Sequence, residues 1–335
     1  MNILLTGGAG YIGSHAAVVL TEAGHQVVIL DNFCNSHRSV LERLAKILGK
    51  TVPCVEGDVR DTILVKKVLK DYHIDAVMHF AGLKAVGESV ANPLKYFDNN
   101  VTGSINLLLA MQAVGVRHIV FSSSATVYGE PKYLPYDEYH PLAPVNAYGE
   151  TKLQVENMLK DLSLSDSTWH VALLRYFNPV GAHDSGLIGE DPSGIPNNLM
   201  PYVAKVAAGE LPHLNIFGND YPTKDGTGER DYIHVMDLTE GHLAALKFLD
   251  KNDGCHVFNL GTGDAKSVLE LVRSFEKVSE KIIPIKIEAR RDGDLPAYYA
   301  KAGKASQQLG WKASRTLDEM CSSTWRWQEF RKTWR

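Results

Sequence analysis

The chain has 335 residues, 44% apolar and 22% charged, and 35 basic against 39 acidic side chains leave a formal charge of −4. That composition fits a soluble globular protein of about two domains whose core is large enough to need no disulfide or metal staple. It excludes a disordered chain and a protein that holds nucleic acid by bulk charge.

In chain order, the first half alternates short apolar runs with helix-length segments. Residues 2–6 form an apolar run ending at glycines, and residues 11–23 read as a helix stopped by Gly24. A second run, 26–30, ends at Asp31, and residues 39–48 form a helix with Gly49 behind it. The third run, 52–55, closes on Gly57-Asp58, and Asp61 is placed to cap a helix through Tyr72. A fourth run spans 75–80. Asn92-Pro93 opens one long helix to about Val114, with Pro in its favoured first turn. A fifth run covers 118–121. Strands and helices alternating in this way predict βαβ units and a parallel sheet.

The second half reads differently. Residues 178–230 are rich in Gly, Pro, Asn and Asp, with one helix-like stretch at 199–209. An irregular length of this kind that still carries apolar residues reads as a functional surface. Helices return at 235–249, 268–278 and 316–331. The expectation is an α/β protein with two domains and a cleft between them. Residues 1–177 form a Rossmann-type, doubly wound parallel sheet, to which a segment around 233–260 returns. Residues 178–335 form mainly a smaller α/β substrate domain.

No apolar stretch reaches the 18 residues of a membrane helix. The opening Met1–Gly7 has neither the basic nor the long apolar region of a signal peptide. Cys34, Cys54, Cys255 and Cys321 are scattered, which fits free thiols in the cytoplasm. The 13 histidines include no HxxxH or HExxH pair, so no metal is expected. Neither a GxSxG elbow nor a P-loop is present.

Three motifs carry chemistry. Gly7-Gly8-Ala9-Gly10-Tyr11-Ile12-Gly13 follows the first strand and opens the first helix. Glycine is needed there for the tight turn, for close approach to a pyrophosphate, and for helix-to-strand packing. The helix N-terminus then offers free N–H groups to phosphates. Asp31 ends the next strand 18 positions after Gly13. A carboxylate there accepts hydrogen bonds from the ribose of NAD and repels the 2′-phosphate of NADP. The GxxGxxG spacing departs from the GxGxxG of many dehydrogenases and points to another branch of the fold.

Tyr148 and Lys152 lie four apart at the start of a helix for which Asn146 is a plausible cap. A phenol ionises at a pKa of about 10, so a nearby ammonium and the positive nicotinamide would be needed to make it a base near neutrality. Such a tyrosine can take a proton from a sugar hydroxyl as hydride leaves the carbon. Ser122-Ser123-Ser124 follows the fifth run, at the sheet edge where ligands bind in open α/β folds, and a hydroxyl there can hold the reacting oxygen.

These pieces resemble the extended short-chain dehydrogenase/reductase family, and within it the UDP-glucose 4-epimerase branch. The resemblance runs nearly end to end. It includes TGGAGYIGSH from Thr6, HFAGLKAVGES from His79, SSSATVYG from Ser122, LRYFNPVGAH from Leu174, EDPSGIPNNLMP from Glu190, FGNDYPTKDGTGERDYIHVMD from Phe217 and RRDGDLPAYY from Arg290. Glu150-Thr151 departs slightly from the family, whose members often carry a basic residue and Ser or Thr there.

The resemblance implies an NAD-dependent isomerase of galactose metabolism. It interconverts UDP-glucose and UDP-galactose by inverting sugar C4 through a transient 4-keto intermediate. Tyr148 is then the proton acceptor, Lys152 tunes it and holds the nicotinamide ribose, and Ser124 hydrogen-bonds the sugar oxygen. Gly7, Gly10, Tyr11, Ile12, Gly13, Asp31, Asn32, Asn35, Ser36, Asp58, Val59, Phe80, Ala81, Gly82, Lys84, Asn99 and Phe177 would line the cofactor with that triad. Asn178, Asn198, Leu199, Phe217, Arg230, Arg291, Asp294 and Tyr298 would hold the UDP-sugar. Arg230 and Arg291 also suit a pyrophosphate on chemical grounds, since a guanidinium fork offers it two N–H groups. A homodimer pairing first-domain helices is implied as well, with no nucleic-acid or membrane partner.

Two rivals share the fold. A nucleotide-sugar 4,6-dehydratase needs an extra acid and base, which that family carries as Asp-Glu after the serine/threonine. Ala125 and Thr126 stand there and can supply neither proton transfer. A non-catalytic NAD-responsive binding protein could dispense with Tyr148 and Lys152, yet both are kept.

Overall fold

Alternate residues of the first strand feed two different cores. In the computed structural model, which describes residues 1–192, 196, 198–291 and 294–333, Ile3 and Leu5 point into one apolar layer and Leu4 into the other. A strand buried on both faces belongs inside a parallel sheet covered by helices. Seven strands build that sheet: β1 (Asn2–Thr6), β2 (Gln26–Asp31), β3 (Cys54–Glu56), β4 (Ala76–His79), β5 (His118–Ser122), β6 (His170–Tyr176) and, much later, Gly254–Leu260. All neighbours pair in parallel. The helices Tyr11–Glu22 and Val235–Leu249 cover one face through Ala16, Ala17, Leu20, Leu238 and Leu246. The helices Thr62–Asp71, Gly103–Val114 and Ala147–Ser165 cover the other through Val65, Leu107 and Leu159.

That seventh strand, Gly254–Leu260, is β10, and the remaining strands are β7 (Asn178–Val180), β8 (Leu214–Phe217), β9 (Glu229–His234), β11 (Ala265–Ser267), β12 (Ile285–Glu288) and β13 (Ala297–Tyr298). The large sheet runs β3-β2-β1-β4-β5-β6-β10. Its winding direction reverses between β1 and β4, and such a switch point opens a crevice at the carboxyl ends of the strands. In the smaller region β9 pairs with β7, β11 and β13, and β8 pairs with β12. The helices Leu199–Ala207, Val268–Ser279 and Leu317–Lys332 share a core with β8 through Val203, Ile216, Phe275 and Met320.

Three expectations need correction. The long helix from Pro93 is three pieces: Pro93–Tyr96, a π-helical turn Phe97–Thr102, and Gly103–Val114. Buried Asn100 sits in the wider turn, accepting from the Leu83 N–H at 2.8 Å and donating to the Leu83 carbonyl and Thr151 Oγ1. The stretch 178–230 is less irregular than its composition suggests, for it contains β7, β8 and the start of β9. Strand β6 is missing from the expected runs, although Val171–Leu174 is as apolar as β5. Arg175 interrupts it, and that charge is cancelled in the fold by Glu156.

Candidate active site

Strand β1 ends against a turn that only glycine fits. Gly7 takes φ +68°, and a Cβ on it would lie 2.7 Å from the Ala81 nitrogen. A Cβ on Gly13 would lie 2.4 Å from the Gly7 carbonyl oxygen. Gly10 caps the helix Tyr11–Glu22 and offers its first N–H groups no side-chain acceptor. An anion fits such an end. At the tip of β2, Asp31 is buried and oriented by three donors, the N–H groups of Ala9 and Phe33, both at 2.9 Å, and Ser36 Oγ at 3.0 Å. Asn32 donates to Asp58 at 2.9 Å. Hydrogen bonds from Arg60 hold the Asp58 carboxyl at about 2, below its ordinary range.

The three serines after β5 face three ways. Ser122 Oγ meets His242 Nε2 at 2.8 Å beneath the sheet edge. Ser123 Oγ donates to the buried Glu156 at 2.6 Å. Only Ser124 reaches the cavity, where Thr126 Oγ1 donates to it at 2.9 Å.

The helix Ala147–Ser165 starts at Asn146, whose side chain accepts from the Gly149 N–H at 2.8 Å. Its first turns bring Tyr148 and Lys152 into the same cavity. Lys152 Nζ donates to the Ser122 carbonyl at 2.7 Å and lies 5.9 Å from the centre of the Tyr148 ring. Burial pushes the lysine down to about 8, opposed by Glu156. Burial also pushes the Tyr148 phenol up to about 12, opposed by a hydrogen bond with Ser124. The chain by itself therefore keeps Tyr148 as a neutral phenol.

The glycine turn, Asp31, Asp58, Ser124, Tyr148 and Lys152 open on one cavity of about 700 Å³ between the sheet edge and the smaller region. From the expected cofactor set, the glycine turn, Tyr11, Ile12, Asp31, Asn32, Asn35, Ser36, Asp58, Val59, Phe80, Ala81, Gly82, Lys84, Asn99 and Phe177 line it. From the expected sugar-nucleotide set, Asn178, Asn198, Leu199, Phe217, Arg230, Arg291 and Asp294 line it. Asp294 brackets both arginines, at 2.9 Å from Arg291 and 3.8 Å from Arg230. The Arg291 guanidinium lies 4.5 Å above the Phe217 ring.

Tyr298 stands apart. It does not line the cavity but lies behind Phe177, with ring centres 5.1 Å apart, and packs equally close to Tyr136. Its buried hydroxyl has no hydrogen-bond partner among the described residues.

Among the further wall residues to which the sequence reading gave no binding role are Thr126, Glu190, Asn215 and Tyr221. Strand alternation could have found Asn215, which shares a face of β8 with Phe217. Glu190 accepts from Lys84 and Asn198, both at 2.7 Å, and so ties the two sides of the cavity together. Nothing local in the sequence signals that pairing.

A family model described as GDP-mannose 4,6 dehydratase matches residues 4–324. The UDP-glucose 4-epimerase of Bacillus subtilis (strain 168) is 57% identical over 98% of this chain and 97% of its own length. The human UDP-glucose 4-epimerase is 54% identical over 98% and 96%. The chain belongs to the UDP-glucose 4-epimerase family. Solved structures of the family agree. A UDP-glucose 4-epimerase from Stenotrophomonas maltophila, with bound NAD and formylated UDP-arabinopyranose, superposes with a TM-score of 0.98 at 52% identity over all of both chains. One from Bifidobacterium longum, in complex with NAD+ and UDP, gives 0.95 at 51% identity over 99% of each. The dehydratase wording of the family model names a different reaction within the same fold, for which Ala125 and Thr126 offer no acid or base.

Proposed function

We infer that this epimerase-family enzyme interconverts UDP-glucose and UDP-galactose by inverting sugar C4 on a bound NAD. The observation that supports it most is the meeting of Ser124 and Tyr148 in the cavity that the glycine turn and Asp31 also line. The protein atoms suit the dinucleotide: the turn has no room for a Cβ, its helix end lacks a side-chain cap, and Asp31 is oriented for a ribose. When bound, the oxidised nicotinamide supplies a reversible hydride acceptor and a fixed positive charge.

The chain's own part is positioning and proton transfer. Tyr148 Oη takes the C4 hydroxyl proton and returns it to the inverted alcohol. Ser124 Oγ accepts from Thr126 and has one proton to share between the Tyr148 phenol and the sugar oxygen. Lys152 stays mostly protonated at neutral pH and favours the phenolate. Arg230 and Arg291 hold the diphosphate, and Phe217 packs on the base. Residues 1–177, with the segment 233–260, serve the cofactor, and the remainder of 178–335 serves the sugar nucleotide. We also propose a cytoplasmic homodimer. No helix of the described residues is long and apolar enough to cross a membrane. Val90, on a short helix Val86–Ala91, is 65% exposed and Leu94, on the next, 81%, with Ile105 and Leu109 also uncovered on the helix Gly103–Val114.

Purified protein should convert UDP-galactose to UDP-glucose with no net accumulation of reduced cofactor. Absence of exchange even with NAD added would refute the assignment. Persistent, stoichiometric reduction of NAD would show a dehydrogenase instead.

A further inference from the structure

One buried acid takes no part in the proton transfers described above. Glu156 lies one turn beyond Lys152 on the helix Ala147–Ser165 and is fully buried. Its Oε1 accepts from Ser123 Oγ at 2.6 Å and from Arg175 Nε at 2.9 Å. Its Oε2 accepts from Arg175 Nη2 at 2.6 Å. Arg175, on β6, is itself buried, and its Nη1 donates to the Tyr128 hydroxyl at 3.2 Å. That hydroxyl donates in turn to Asn259 on β10 at 2.6 Å. A buried network with its donors and acceptors matched specifies one arrangement of the elements it joins.

The joined elements are those that carry the reacting groups. Lys152 Nζ grips the Ser122 carbonyl, and Glu156 grips the next side chain, Ser123. The tyrosine helix is therefore fastened to the serine turn at two adjacent residues, and the third serine is left to face the cavity. An error of about 1 Å in such an alignment costs on the order of a hundredfold in rate. A buried carboxylate was not required to hold the helix to the sheet, because apolar packing of Val155 and Leu159 already does that.

We propose that Glu156 is a positioning residue for the reaction: through Ser123 and Arg175 it fixes the serine turn against the helix, setting Ser124 in register with Tyr148. The proposal rests on the assignment of Tyr148, Lys152 and Ser124 given above. It carries an electrostatic consequence. The charged and titratable groups around Lys152 and Glu156 are Tyr148 and Lys160 on their own helix, the latter 3.4 Å from Glu156 Oε2, His79 on β4, Arg175 and Tyr176 on β6, Cys255 on β10, and His242 below Ser122. Glu156 is the acid among them, and it opposes the fall of the lysine's pKa. Without it the lysine loses its proton at a lower pH, so the alkaline limb of turnover moves down.

The test uses the full-length enzyme with NAD and three variants. Ser123→Ala removes one hydroxyl and leaves the Glu156–Arg175 ion pair in place. It should fold, bind UDP as the parent does, and lose about tenfold in kcat with KM unchanged. Glu156→Gln should show the same split and an alkaline limb shifted to lower pH. Tyr148→Phe separates the two levels of inference, because a fully active Tyr148→Phe enzyme refutes the site assignment itself. If Tyr148→Phe is inactive while Ser123→Ala keeps kcat within twofold of the parent, the positioning role is overturned. An unmoved alkaline limb in Glu156→Gln overturns it equally. If Glu156→Gln does not fold, the kcat of Ser123→Ala decides alone.

Discussion

Replacing Gly13 by alanine tests how tightly the first turn is built. A Cβ at this position lies 2.4 Å from the Gly7 oxygen and 2.7 Å from the Gly8 Cα, both backbone atoms, whereas ordinary contact begins near 3.4 Å. The helix must therefore draw away from the turn by about 1 Å (3.4 − 2.4). The turn cannot yield in the other direction, because Gly7 already sits against Ala81. Forced overpacking of this kind costs about 1–3 kcal/mol, and an N–H array displaced by about 1 Å no longer meets its phosphate in line. NAD affinity should fall roughly 10- to 100-fold, corresponding to about 1.4–2.8 kcal/mol. Titration calorimetry of nucleotide-stripped protein would measure it. Gly87→Ala is the control, since a Cβ there meets nothing within 4 Å. Parent-like NAD affinity in Gly13→Ala would refute the steric argument.

Four other outcomes follow from the same structure. Tyr148→Phe should retain UDP binding and lose roughly 10² to 10⁴ in turnover, the usual share of general acid–base catalysis, so unchanged turnover would remove the phenol from the mechanism. Tyr298→Cys removes the ring that supports Phe177 and should raise kcat/KM on UDP-N-acetylglucosamine relative to UDP-glucose by about tenfold; an unchanged ratio would count against Tyr298 as a limit on sugar size. Burial holds His15 and His79 down to about 3, and His234 and His242 to about 4. These neutral histidines cost nothing above pH 6.5, and as pH falls towards 4 the unfolded chain gains protons the folded one refuses, so each removes about 2 kcal/mol of stability at pH 5. Urea midpoints at pH 7.5 and pH 5 should show a smaller fall for His79→Gln than for the parent. Leu94→Lys should convert the proposed dimer to monomer in sedimentation, and an unchanged mass would place any interface elsewhere.

The parallel sheet was legible because β1, β2, β4 and β5 are near-continuous apolar runs, each closed by the glycine, serine or acid that becomes the edge of the cavity. The Tyr148–Lys152 pair was legible because helical spacing alone puts the two on one side. The serine triplet was only partly legible. Its composition says that hydroxyls gather after β5, but strand alternation and the turn decide that Ser122 meets His242, Ser123 meets Glu156, and Ser124 meets the cavity. The π turn at Phe97–Thr102 left no local trace, since its cause is Asn100 reaching Leu83 and Thr151, far away in sequence. Tyr298 could be expected near the sugar only by resemblance, and contact with Phe177 decides that it stands one layer back.

The seventh strand has a consequence for the order in which the protein can be made. Strand β10 pairs with β6 along its whole length, from Gly254 opposite His170 to Leu260 opposite Tyr176. A ribosome that has released the first 177 residues has thus released a sheet with an open border, its amide and carbonyl groups unpaired. The covering helix Val235–Leu249 is also still to come, so Leu20 and Ala16 lack their neighbours. The intervening segment, with β7, β8 and β9, must emerge before that border is closed. Completion of the nucleotide half thus waits on the synthesis of much of the sugar half, and a nascent chain stalled between them presents a sticky edge to chaperones.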